Sequence, residues 1–78
     1  MLAEIAYFEY LNTNYHKALE LGNNAFLLYR QIGAISAMKQ TRQVIVGSLY
    51  KMGYTEEAIA TAESIDKDPL GLSWKPTI

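Results

Sequence analysis

Apolar residues recur at helical spacing along almost the whole chain, and this periodicity restricts the fold more than any other feature. The pattern is clearest between residues 15 and 32, where the spacing i, i+3, i+4, i+7 is followed by Tyr15, Ala18, Leu19, Gly22, Ala25, Phe26, Tyr29 and Ile32. Similar stretches cover residues 2–11, 34–52 and 55–65, and no alternation of period two is long enough to indicate a strand. The sequence therefore predicts an all-α protein of about four helices.

Short polar or glycine-containing segments separate the four stretches. Asn12, Thr13 and Asn14 suit a tight turn that also caps the next helix, because their side-chain oxygens can accept free backbone N–H groups. Gly33 and Gly53 follow the second and third stretches, where glycine commonly ends a helix. Connections this short join antiparallel neighbours, so we expect two helical hairpins.

The helical pattern defines one domain over residues 1–65 and a non-helical tail over residues 66–78. Thr55 is a good N-cap for the fourth helix. Beyond residue 65 the pattern stops, and Pro69, Gly71 and Pro76 oppose a further helix. Three apolar tail residues are expected to dock on an uncovered hydrophobic surface of this subunit or a neighbour: Leu70, Leu72 and Trp74.

A shift of 40 residues aligns the two halves of the chain. It pairs residues of similar size and polarity, namely Ile5 with Ile45, Ala6 with Val46, Tyr10 with Tyr50, Ala18 with Ala58, and Leu19 with Ile59. A small residue early in the second helix of each hairpin lets the two helices approach closely. Because one hairpin cannot bury both of its faces, repeated hairpins of this kind stack on one another.

The second half carries the residues of a known repeat family. The segment from Gly47 to Ile59 resembles the core of the tetratricopeptide repeat, with Tyr50 three residues after a small residue, then Gly53, and Glu57-Ala58-Ile59 in the second helix. Residues 14–21 resemble the turn and second helix of the same repeat. The resemblance covers about residues 2–65 and implies a fragment of a right-handed superhelix. The period of 40 is longer than the common one and resembles that of bacterial transcriptional regulators.

The resemblance implies a binding scaffold whose first helices line a groove for a peptide or a protein helix. The groove positions would be held by Tyr7 and Tyr10 on the first helix and by Gln40, Gln43 and Tyr50 on the third. The carboxylate-clamp form of the family has Lys and Asn at such positions, so the glutamines do not support a clamp. Two interpretations remain for Tyr50: a groove residue, or core packing with its hydroxyl at the surface, as for Tyr15.

Charge is distributed unevenly along the chain. Residues 30–54 carry four basic side chains and no acid, whereas residues 55–74 carry five acids and one lysine. One interpretation is a groove for an acidic peptide, with Arg42 binding a carboxylate through two hydrogen bonds. The other is charge balance between a basic third helix and its acidic neighbours, because exposed ion pairs are common and weak. Arg42 also falls on the apolar seam of the third helix.

The composition excludes several classes of function. The net charge of −1 argues against binding to nucleic acid, and the chain has no cysteine, no apolar run long enough for a bilayer and no basic leader segment. His16 is the sole histidine, and no nucleophile motif or glycine-rich phosphate loop is present. We therefore expect a cytoplasmic, non-catalytic protein without cofactor or metal.

Two hairpins fall short of the roughly three repeats that stacked arrays need for stability. We therefore expect the chain to self-associate, with a two-fold dimer as one form, or to be part of a longer array. The leading function is a protein- or peptide-binding scaffold. The alternative is an effector-sensing or dimerisation fragment of a bacterial transcriptional regulator.

Overall fold

The structure, a computed structural model, describes residues 2–68, and these form four α-helices. The helices are α1 (Leu2–Leu11), α2 (Tyr15–Ile32), α3 (Ile35–Lys51) and α4 (Thr55–Lys67). No strand occurs between residues 2 and 68, which confirms the predicted all-α fold. The predicted bounds are close to the observed ones, but α4 continues two residues into the predicted tail. Residues 69–78 and the expected docking of their apolar side chains lie outside the described residues.

The three turns between the helices share one backbone conformation. Thr13, Gly33 and Gly53 have φ angles of 64°, 70° and 92°, and they are spaced twenty residues apart. In each turn the N–H of this residue donates to the carbonyl three residues earlier, and the next N–H donates to the carbonyl five residues before it. This is the hydrogen-bond pattern that ends a helix in the Schellman motif. The backbone pattern therefore recurs every twenty residues, in the turn between the two hairpins as well as in the turn within each of them.

Side-chain capping of the helix N-termini does not contribute to these turns, contrary to the sequence prediction. Tyr54 rather than Thr55 precedes the first turn of α4, and neither Asn14 nor Tyr54 makes a side-chain cap hydrogen bond. The Nδ2 of Asn14 instead donates to Oε2 of Glu9 at 2.9 Å. The turns thus depend on backbone hydrogen bonds and on the left-handed residue, and in the first turn the Nδ2 of Asn12 also donates to the carbonyl oxygen of Phe8 at 2.9 Å.

Consecutive helices pack against each other as two hairpins, α1–α2 and α3–α4, and α3 also packs against α1. The larger core cluster lies among α2, α3 and α4, and it consists of Leu19, Phe26, Met38, Ile45, Leu49 and Ala58. A smaller cluster joins α1, α2 and α3 through Ala6, Ala18 and Val44. The third helix therefore forms the centre of the molecule and contacts each of the other three.

Small residues permit the close helix contacts that the repeat predicts. Ala18 and Ala58 are both buried early in the second helix of their hairpins. A Cβ on Gly22 of α2 would lie 3.0 Å from Cγ1 of Ile45 on α3, so this glycine marks the close crossing of the two helices. None of the helices formed by residues 2–68 is long and apolar enough to cross a bilayer.

Candidate functional site

An open groove lies between α1 and α3, which present equivalent faces of the two hairpins. It has a volume of about 380 Å³ and is lined by Glu4, Tyr7, Tyr10, Gln40, Gln43 and Val44. This volume is at the low end of the roughly 300–1,000 Å³ of small-ligand pockets, so it suits a side chain or a short peptide segment. Four of the residues placed in a groove by the sequence are therefore brought together.

Tyr10 joins the two walls of the groove. A Cβ on Gly47 of α3 would lie 2.8 Å from Cε1 of Tyr10, so the absence of a side chain there makes room for the tyrosine ring. The Tyr10 ring also stacks with Tyr7, at 6.5 Å between centroids and 16° between planes, and meets the edge of Tyr15 at 5.7 Å. Aromatic contacts of this kind hold the rings in fixed positions.

The polar side chains of the groove are available to a partner. Gln40 and Gln43 are exposed, and within residues 2–68 neither amide group makes a hydrogen bond. Each amide can both donate and accept. Val44 is buried and gives the groove an apolar floor. The arrangement can therefore bind a chain with both polar and apolar groups.

Tyr50 lies outside the groove and is not a core residue either. Its side chain is 61 % exposed, and it does not line the cavity. Its counterpart Tyr10 is half-buried because it packs against Gly47 of the second hairpin. Tyr50 meets no such following hairpin among residues 2–68. The interpretation of Tyr50 as a core residue is wrong, whereas Tyr15 is half-buried beside Tyr10.

Arg42 does not face the groove, which corrects its assignment as a binding residue. The side chain is fully buried, its Nη1 donates to the carbonyl oxygen of Ser64 at 3.0 Å, and the guanidinium carbon lies 4.9 Å from the centroid of Phe26. Burial lowers the pKa of the Arg42 guanidinium, and the negative charge of Asp68 acts in the opposite direction. Arg42 therefore links α3 to α4, and an acidic peptide would not reach it.

Glu4 is one of two groove residues that the sequence reasoning missed, the other being Val44. Glu4 precedes Tyr7 by three residues, and Tyr10 follows at the same spacing, so a helical face through the two predicted tyrosines includes Glu4. The charge-balance interpretation is supported at one point, because the negative charge of Asp68 at the end of α4 acts on Arg42 of α3, whereas the ion pair between Lys67 and Glu63 is internal to α4. His16 is exposed at the start of α2, and no cluster of metal-ligating side chains occurs within residues 2–68.

The fold and site define an all-α protein of two helical hairpins with an open groove between their first helices. No protein-family model matches the chain, and the searches of curated proteins and of solved structures gave no match.

Proposed function

We propose that this chain is a non-catalytic, tetratricopeptide-like scaffold that binds a peptide or a protein helix in the groove between α1 and α3. The observation that carries the proposal is the set of tyrosine and glutamine side chains, three of them exposed and Tyr10 half-buried, brought together from equivalent faces of two helices. Ala18 and Ala58, which the 40-residue shift pairs, are both buried early in the second helix of their hairpins, and this supports the underlying repeat. The cytoplasm is the compartment in which we propose that it acts.

The chemistry of the groove suits an extended peptide. The rings of Tyr7 and Tyr10 can contact an apolar or cationic side chain of a ligand, and Val44 lines the same cavity. Gln40 and Gln43 are three residues apart on α3, so both amides lie on one helical face. They can form hydrogen bonds with the N–H and C=O groups of a peptide backbone, largely independently of its sequence.

Peptide-array screening followed by titration calorimetry of the best binder tests the proposal. Gln43→Ala and Tyr7→Ala are expected to weaken binding by about fivefold to thirtyfold each, the range for losing one or two net contacts. The matched controls are Gln31→Ala on α2 and Tyr50→Ala, because both residues are exposed and neither lines the groove. Peptide binding that is unchanged by Gln43→Ala and by Tyr7→Ala would contradict the proposal that the groove is the binding site.

The same groove also supports the alternative, an effector-sensing or dimerisation fragment of a bacterial transcriptional regulator. In that case the bound peptide would be a signal, and the parent gene would encode a DNA-binding domain next to this chain. Sequencing the neighbouring coding region distinguishes the two functions, since a scaffold requires no such domain.

We also propose that the chain self-associates through the outer face of α1, formed by Ile5 and Phe8. These side chains are 47 % and 62 % exposed, whereas their counterparts Ile45 and Ser48 on α3 are buried. Ile5 and Phe8 are therefore at the positions whose equivalents in the second hairpin pack against the first hairpin. A two-fold dimer would cover this face with the same helix of a second copy.

A further inference from the structure

Glu4 gives the groove a charge that selects among peptides. It is the only charged side chain among the described residues that line the cavity, and it makes no ion pair or hydrogen bond within residues 2–68. The nearby Tyr7 side chain is 53 % exposed, so much of its surface can be contacted by a ligand. A carboxylate beside stacked tyrosine rings attracts a cation and repels an anion.

An arginine side chain can contact both the carboxylate and the tyrosine rings of the groove. Its planar guanidinium can lie on an aromatic ring while its N–H groups form paired hydrogen bonds with a carboxylate. The chain itself contains such a contact in the core, where the guanidinium of Arg42 lies over the ring of Phe26. Arg42, the basic residue that the sequence analysis placed in the groove, is thus buried elsewhere.

We propose that the groove recognises an arginine side chain of an extended peptide, held between the Glu4 carboxylate and the Tyr7 ring while Gln40 and Gln43 bond its backbone. This specificity rests on the proposed peptide-binding function. It reverses the sequence-based interpretation that the basic third helix would attract an acidic peptide. The occupant is a basic peptide, because the described residues of the lining offer one acid, no base and two amides.

Fluorescence anisotropy with the full chain tests the proposal. The probes are pools of short, acetylated and amidated peptides in which one position is fixed as arginine, citrulline, lysine or glutamate. Arginine pools are expected to bind about tenfold more tightly than citrulline pools, which have the same shape without the charge. Glu4→Gln is expected to reduce this ratio to about one, while Glu20→Gln, on an exposed residue of α2, leaves it unchanged.

The outcomes separate the two proposals. Binding that requires Gln43 and Tyr7 but is equal for arginine and citrulline, or stronger for glutamate, would overturn the arginine specificity and leave the peptide-binding function standing. Loss of all groove-dependent binding would overturn both. N-acetylarginine amide serves as competitor, and it should displace the arginine pools only weakly, because it lacks the peptide backbone that the glutamines bind. Displacement as effective as by a peptide would also contradict the proposal.

Discussion

Thr13 is the one described residue other than glycine with a positive φ angle, and the equivalent positions of the other two turns are glycines. A left-handed conformation costs a residue with a side chain about 1–2 kcal/mol, and a β-branched residue is especially unsuited to it. Glycine removes this cost but loses about 0.5–1 kcal/mol through the greater freedom of the unfolded chain. We therefore expect Thr13→Gly to raise the free energy of unfolding by about 0.5–1 kcal/mol.

Urea unfolding followed by circular dichroism measures this change. Gly53→Thr in the equivalent turn is the matched control, and it should lower the free energy of unfolding by more than about 1 kcal/mol. A lower urea midpoint for Thr13→Gly would show that the Thr13 side chain stabilises its turn more than the conformation costs.

Arg42 shows how a charged side chain can serve the core. Arg42→Ala removes the volume of the arginine side chain and its hydrogen bond to Ser64. We expect this change to lower the free energy of unfolding by about 2–4 kcal/mol. Arg42→Met keeps an unbranched side chain of similar length, and the Ser64 carbonyl still accepts the N–H of Asp68 at 2.8 Å. Because the charge also costs desolvation, we expect Arg42→Met to change the free energy of unfolding by less than about 1 kcal/mol.

The two Arg42 variants are compared by urea unfolding. A chain of this length has a total stability of only about 4–12 kcal/mol, so we expect the alanine variant to lose a large part of its helical signal on mild heating. A methionine variant as unstable as the alanine variant would mean that the guanidinium, rather than its packing volume, holds α3 to α4.

At the scale of elements, the contact between α1 and α3 depends on Gly47. Alanine in a helix is about 1 kcal/mol better than glycine, but here its Cβ would displace the Tyr10 ring. We expect Gly47→Ala to stabilise a Tyr10→Ala background by about 1 kcal/mol and to give no gain, or a loss, in the original chain. A double-mutant cycle in urea measures the coupling, and additive effects would contradict the close Tyr10–Gly47 contact.

Helices and turns could be predicted from the sequence because both depend on neighbours along the chain. The groove could be predicted in part because Tyr7, Tyr10, Gln40 and Gln43 lie on equivalent helical faces. The burial of Arg42 could not, since its partners Phe26 and Ser64 come from two other helices and a charge is ordinarily exposed.

For the whole molecule, the residues paired by the 40-residue shift can be compared to find which outer surfaces of the two hairpins are apolar and which are polar. Leu19 on α2 is buried beneath α3, whereas its counterpart Ile59 on α4 is 55 % exposed. Asn23 is buried, and its counterpart Glu63 is a charged, exposed residue. The outward face of α4 is therefore more polar than that of α1, as in the terminal units of stacked repeats. This asymmetry makes α1 the better surface for self-association.

Phe8→Ser tests self-association through α1. Phe8 is largely exposed on the outer face, so the change should leave the fold intact and remove apolar contact area between copies. We expect the concentration for half-dimerisation, measured by size-exclusion chromatography with light scattering, to rise by at least about tenfold, since burying a phenylalanine contributes about 1.5–3 kcal/mol.

Ile59→Ser on α4 is the matched control, and it should leave the dimer unchanged because it lies outside the proposed two-fold interface. If both substitutions weaken association, α1 of one copy packs on α4 of the next, which makes the contact head-to-tail and open-ended. A chain that stays monomeric at high micromolar concentration would reject self-association, and the α1 face would then have to be covered by a different partner or remain in water.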